Sequence, residues 1–282
     1  MMHYYFDLLG LRVLLTTPGP ISISSSLQPF VCLPFDAPAD CTIEIVEGTL
    51  PAFSENGNWQ GLEYYDRQED HKRIFHCEKT FAPPFAVTQI GKKGDIQITV
   101  NPGSLGRFSG TSGIFNRIGF ENLLLQHTGL LLHASLIEFA HQGIAFTGPS
   151  GVGKSTQANL WQRCFGAKII NGDRAALRKT EAGWVAYGSP YAGTSGIYCN
   201  ENVPLRAIVV LKQSKENKLH RLSGVQGFSY IWPELSARRQ DADFVAEATR
   251  LCVQLLGDIP VYLLECLPDE NAATVLKEGL SL

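Results

Sequence analysis

The stretch Gly143–Trp161, GIAFTGPSGVGKSTQANLW, constrains this chain more than any other. Its apolar run Ile144–Thr147 reads as a strand, and a helix-forming segment starts at Lys154. Between them, Gly148-Pro149-Ser150-Gly151-Val152-Gly153-Lys154-Ser155 fills every required position of G-x-x-x-x-G-K-[ST]. Glycines let the backbone curl so that successive N–H groups face phosphate oxygens, helped by the positive end of the following helix. The pattern predicts a nucleoside triphosphate site. In it the Lys154 ammonium reaches the β- and γ-phosphates and the Ser155 hydroxyl ligates Mg²⁺. A glycine turn that binds nothing has no need of Lys and Ser at those two positions.

At 282 residues the chain has room for a nucleotide-binding core and a smaller domain. A formal net charge of −3 argues against general nucleic-acid binding, which calls for a basic surplus. The seven cysteines are scattered without a C-x-x-C pair, so neither a zinc site nor a disulfide framework is suggested. Reduced thiols in a cytoplasmic protein are the plain expectation. The N-terminal MMHYYFDLLGLRVLLTT lacks a basic leader and is broken by Asp7, Gly10 and Arg12, so it reads as a strand pair and not a signal peptide. No run approaches the roughly eighteen apolar residues of a membrane span, so no membrane partner is expected.

Residues 1–105 read as a β-rich domain. His3–Leu9 and Leu11–Thr17 carry strand-forming residues, while Thr42–Val46 and Asp95–Val100 alternate polar with apolar. Turn clusters at Pro18-Gly19-Pro20, Glu55-Asn56-Gly57-Asn58 and Gly91-Lys92-Lys93-Gly94 separate the strands. Tyr64–Lys79 is charged and aromatic; its His71 and His76 fit no ligand spacing, which predicts a solvated strand or hairpin. No chemistry is evident here, and a lid, a dimerisation surface or a docking platform all remain open.

Residues 106–282 read as the nucleotide-binding domain. Ser112–His127 has apolar residues at helical spacing, with Ser112 as N-cap. Leu130–Phe139 and Ile144–Thr147 are strands joined by a tight turn, so the phosphate-loop strand begins as half of an antiparallel hairpin. After the helix Lys154–Phe165 come a strand at Ala167–Asn171, a hairpin from Arg174–Lys179 and Trp184–Tyr187, and the buried strand Leu205–Leu211. Ser223–Leu235 is weakly helical. A helix at Asp241–Leu256, a strand at Pro260–Glu265 and a helix at Asp269–Leu280 close the chain.

A triphosphate site needs a second magnesium ligand, usually an aspartate at the end of a neighbouring strand. Asp173, ending KIINGD, either fills that role or caps the turn into the next strand. His133 either packs in the core or orders a substrate hydroxyl near the γ-phosphate. The Gly188–Gly196 loop, with Gly193, Thr194, Ser195 and Gly196, is either a close-approach substrate loop or a surface connection. Arg174 and Arg206 either offset phosphoryl charge or serve as ordinary surface groups.

LLHASLIEFAHQGIAFTGPSGVGKST resembles the catalytic domain of HPr kinase/phosphorylase, in which a histidine-bearing strand precedes a hairpin and a phosphate loop. The INGDR, GSPYAGTSGI and PLRAIVVL stretches are closer still to the HPr kinase-like proteins often labelled phosphoenolpyruvate carboxykinase-like. The likeness covers about residues 112–265. It implies an α/β class with a mixed (α+β) sheet and a phosphoenolpyruvate carboxykinase/HPr kinase-type P-loop core. It also implies that Gly148–Thr156 bind the phosphates of ATP, that Ser155 and Asp173 hold Mg²⁺, and that His133, Lys154 and Asp173 lie at the reaction centre. The founding family forms hexamers through these domains, so a homo-oligomer is implied. Gly172 departs from the pattern: it stands where that family carries the first of two aspartates, the base toward its seryl substrate.

The leading expectation is an ATP- and Mg²⁺-dependent kinase acting on a hydroxyl of a protein, peptide or small molecule. Gly172 favours an alternative, a nucleotide-binding regulator whose N-terminal domain docks a partner. A true carboxykinase is the weakest reading, because no arginine cluster for a dicarboxylate is evident.

Overall fold

The alternating segments before residue 105 join one mixed sheet. The structure is a computed structural model that describes residues 1–53, 58–60, 62–67, 71–80, 82–91, 95–239 and 241–282. The turn residues expected at Glu55-Asn56-Gly57 and Lys92-Lys93-Gly94 lie outside the described residues. The chain divides into two units, Met1–Gln126 and His127–Leu282. Among the described residues no helix is long and apolar enough to cross a membrane.

The first unit contains β1 (Met2–Leu8), β2 (Leu11–Thr17), β3 (Cys41–Glu47), β4 (Asn58–Gln60), β5 (Glu63–Arg67), β6 (His71–His76), β7 (Ala86–Gly91) and β8 (Ile96–Val100). They are ordered β1-β2-β3-β8-β7-β6-β5-β4. The β1–β2 hairpin turns through Leu9 and Gly10, both at positive φ, as a two-residue type I′ turn requires. Tyr64–Lys79 does form a hairpin, but not a solvated one. β6 lies between β5 and β7, and Ile74, Phe75 and, just past the strand, Cys77 are buried. His76 is buried too, its Nε2 2.8 Å from Thr88 Oγ1.

The helix predicted over Ser112–His127 is two, α1 (Thr111–Ile118) and α2 (Phe120–Gln126). Gly119, at φ 81°, breaks the helical path between them. Ser112 is not the N-cap; that position is Gly110, and the Ser112 hydroxyl accepts a bond from Ser24 Oγ at 2.8 Å.

The second unit contains β9 (Gly129–Phe139), β10 (Gln142–Thr147), α3 (Lys154–Phe165), β11 (Lys168–Asn171), β12 (Arg174–Thr180), β13 (Gly183–Tyr187) and β14 (Asn202–Gln213). It continues with β15 (Lys218–Arg221), α4 (Gly224–Glu234), α5 (Ala242–Asp258), β16 (Val261–Cys266) and α6 (Glu270–Gly279). Strand order is β10-β9-β12-β13-β14-β16-β15, with further pairings of β10 to β14 and β11 to β9. Two strands change partners along their length. β9 pairs with β12 through His133 and with β10 from Ala134 onward. β14 pairs with β13 over Asn202–Pro204, then lies between β10 and β16. Its burial follows: alternate residues are buried at first, then Ala207–Leu211 without interruption, as a strand covered on both faces demands.

A core holds this sheet to α3 and α6. Ile137, Ile144, Phe146, Val209, Leu211 and Leu264 pack against Trp161 of α3 and Leu276 of α6. A Ser223–Gln226 capping box starts α4, and Asp241 and Asp269 cap α5 and α6. β15 has no counterpart in the sequence reading; its charged residues suit an exposed edge and hide the strand pattern.

The β9–β10 turn is made by Ala140 and His141 at φ 49° and 58°, a left-handed pair without glycine or asparagine. Changing Ala140→Asn and His141→Gly together is expected to raise stability by about 1 kcal/mol, read as a higher urea midpoint. A lower midpoint would contradict this turn geometry.

Candidate functional site

β10 delivers the chain to the loop at Thr147, which stands opposite Ala134 of β9 and Val210 of β14. The Thr147 hydroxyl donates to the His133 carbonyl at 2.8 Å, tying the loop's root to the histidine strand. Gly148, Gly151 and Gly153 then take φ values of 135°, 79° and 117°, which residues with a Cβ rarely adopt. Among the described residues, the amides of Gly151, Gly153, Lys154, Ser155 and Thr156 find no acceptor. These are donors that an anion at the start of α3 would satisfy.

Lys154 is buried, and its Nζ donates to the loop's own carbonyls at Gly148 (2.8 Å) and Pro149 (3.2 Å). Burial lowers its pKa, while the charges of Glu234 and Asp173 pull the other way. Pro149, Ser150, Ser155 and Thr156 face solvent, and Val152 is half-buried.

His133 ends the part of β9 paired with β12, and its ring stands between two carboxylates. Nδ1 is 3.1 Å from Glu234 Oε2, and Nε2 is 3.8 Å from Asp173 Oδ1. His133 therefore meets Asp173 and, at the end of α4, Glu234, and the charges of both carboxylates act on Lys154. Nothing in the sequence pointed to Glu234; it follows a proline in a weakly helical stretch, far along the chain from His133. Arg174 also belongs here, its Nε 3.7 Å from Asp173 Oδ2, its Nη1 donating to Ser236 Oγ at 2.9 Å, and its guanidinium over the Tyr191 ring. Arg206 does not: it donates to the Leu280 carbonyl at 3.2 Å, a structural tie.

The corner Gly172-Asp173 is where the chain passes from β11 to β12 along β9. Buried Asn171 builds it. Its Oδ1 accepts from the amides of Asp173 (2.9 Å) and Arg174 (2.7 Å), and its Nδ2 donates to the carbonyls of Ser189 and Tyr191. The same side chain thus aims Asp173 and pins the Gly188–Gly196 loop. That loop is packed on the corner and is not a loose surface connection. A Cβ on Gly193 would come within 2.9 Å of the Asp173 side chain, and one on Gly172 would lie 1.9 Å from Ser195 Oγ and 2.6 Å from its Cβ. Ser195 itself donates to the Ala192 carbonyl at 2.7 Å, and Thr194 is exposed. The space a first aspartate would need is occupied by Ser195.

The donors suit a triphosphate with Mg²⁺. Among the described residues no three His, Cys, Asp or Glu cluster as a metal cage. Mg²⁺ commonly needs only one or two protein oxygens beside the phosphates, and the exposed Ser155 hydroxyl and partly exposed Asp173 carboxylate are of that type. Two carboxylates beside a triphosphate also repel it unless a divalent cation intervenes.

No family profile matches this sequence, and no curated protein matches it. Among solved structures, the HPr(Ser) kinase/phosphatase from Coxiella burnetii is similar to this chain at 12% identity and a TM-score of 0.33. The match covers 53% of this chain and 89% of that one.

Gly172→Ala is expected to cost about 1–3 kcal/mol through overlap with Ser195. Adding Ser195→Gly should recover most of it, measured as a double-mutant cycle in urea. Simple additivity of the two changes would contradict this packing.

Proposed function

We propose that this chain binds a nucleoside triphosphate through Gly148–Thr156 and transfers its γ-phosphoryl group to a hydroxyl, as an ATP- and Mg²⁺-dependent kinase. One observation carries the reading: unpaired loop amides and a buried lysine lie beside a histidine flanked by two carboxylates. Amides and lysine suit an anion; the histidine and carboxylates suit proton transfer at its edge.

On this reading Lys154 leaves the carbonyls of Gly148 and Pro149 for the phosphates, while the preorganised amides offset the developing charge. Ser155 and Asp173 would hold Mg²⁺, which would supply further neutralisation of the phosphate charge. The acceptor oxygen bonds to the γ-phosphorus as the bond to the β-phosphate oxygen breaks, and a nucleoside diphosphate leaves. The hydroxyl proton passes to the His133–Asp173–Glu234 group. A loose transition state asks little of a base, so glycine at 172 does not forbid transfer. The acceptor, a seryl side chain or a small molecule, is left open by these residues.

A second reading is a nucleotide-sensing regulator with negligible transfer, favoured by the absence of room for a carboxylate at 172. Incubation with γ-labelled ATP, Mg²⁺ and candidate acceptors separates the two. Labelled acceptor from wild type, lost by about 100-fold or more in Lys154→Ala, is expected for the kinase. Turnover unchanged in Lys154→Ala would end the kinase reading, and slow hydrolysis with no labelled acceptor would favour the regulator.

A further inference from the structure

Arg174 opens β12 directly opposite His133 of β9. Residues paired in this way stand about 5 Å apart and leave the sheet on one face, so the arginine rises beside the histidine. Its guanidinium is fixed from two sides. Nη1 donates to Ser236 Oγ at 2.9 Å, and Cζ is 4.9 Å from the centre of the Tyr191 ring. Both supports are themselves anchored. The Ser236 amide donates to the Leu131 carbonyl at 2.8 Å, and the Tyr191 carbonyl accepts from Asn171 Nδ2 at 3.0 Å. Yet the fork is not spent on a carboxylate. Asp173 Oδ2 is 3.7 Å from Nε, too far for a hydrogen bond, and the other oxygen of Asp173 lies 3.8 Å from His133 Nε2. Nε is sealed from solvent without a hydrogen-bond partner, whereas Nη2, also without one among the described residues, is not sealed. The side chain as a whole is 39% exposed. An arginine that merely balanced Asp173 would make the hydrogen bond; this one is held in place with Nη2 open.

We propose that Arg174 takes a carboxylate of the acceptor, so that the hydroxyl phosphorylated at this site belongs to a small hydroxy acid; the proposal rests on the kinase reading above. On that reading the reacting hydroxyl stands at His133 and Asp173, and in-line attack leaves the rest of the acceptor on the side away from the departing diphosphate. Arg174 is within a few bond lengths of that point, which is the spacing between hydroxyl and carboxylate in a small hydroxy acid. Asp173, Glu234 and the nucleotide repel a further anion there, and a charge-assisted bond from Arg174 offsets the repulsion. A planar guanidinium already stacked on a ring suits a planar carboxylate and loses little freedom on binding it. In the reaction the hydroxyl oxygen bonds to the γ-phosphorus, the bond from that phosphorus to the bridging oxygen breaks, and the nucleoside diphosphate leaves with the electron pair. The hydroxyl proton goes to the His133 group, and the carboxylate is unchanged.

The test gives wild type γ-labelled ATP, Mg²⁺ and small hydroxy acids with a few carbons at most between hydroxyl and carboxylate, each beside its neutral primary amide. The kcat/KM for label transfer is expected to favour acid over amide by on the order of 10-fold or more. Arg174→Gln, which removes the charge, brings that ratio near unity. Arg174→Lys, which keeps the charge and loses the fork, leaves it between the two. A ratio is insensitive to a general loss of activity in either variant. If wild type labels acid and amide alike, or the preference survives in Arg174→Gln, the carboxylate role is wrong while the kinase reading stands. ATP bound by wild type with neither class labelled also overturns the role and leaves the kinase to other acceptors. If wild type does not bind ATP, the triphosphate reading falls and the hydroxy acid with it.

Discussion

β10 is held antiparallel to β9 along one edge and parallel to β14 along the other, and the candidate site depends on those two pairings. The hairpin sets His133 level with the root of the phosphate loop. The parallel pairing sets Gln213 and Ser214 level with its far side. On the edge of β9 that β10 leaves open, the returning chain pairs as β11 up to Asn171 and as β12 from Arg174, with a corner between them level with His133 and Ala134. Gly172-Asp173 is that corner, and it puts a carboxylate 3.8 Å from the histidine.

The same region carries several incompletely satisfied polar groups. Lys154 is buried on backbone carbonyls and, among the described residues, loop amides lack acceptors. Such groups oppose folding unless a ligand completes them. Around them the scaffold is firmly determined: an apolar β14, a core shared by α3 and α6, and Asn171 saturating both sides of the corner. Rigid support around an incompletely satisfied centre is what a preorganised anion site requires.

What could be read from the sequence was mostly local. The phosphate loop and the glycine loop are specified by adjacent residues with strong conformational demands, and the hairpin before the phosphate loop by two apolar runs a few residues apart. The long-range partners were not legible. Glu234 meets His133 across 101 residues of chain, and its helix has weak periodicity until the Ser223–Gln226 box is seen. Asn171 reads as the end of an apolar strand; its role appears only when two backbone amides converge on its oxygen. Gly172 looked like a loss, whereas packing shows Ser195 filling the place. The helix broken at Gly119 and the buried His76 were missed because periodicity and composition outweighed a single glycine and a sheet interior.

A structure with a non-hydrolysable ATP analogue and Mg²⁺ tests the central claim most directly. The account predicts that Lys154 Nζ leaves the carbonyls of Gly148 and Pro149 for the terminal phosphates, with that end of the nucleotide facing His133, Asp173 and Glu234. A chain that at saturating analogue keeps Lys154 on its own loop, with no phosphate on the amides of Gly151–Thr156, would contradict it.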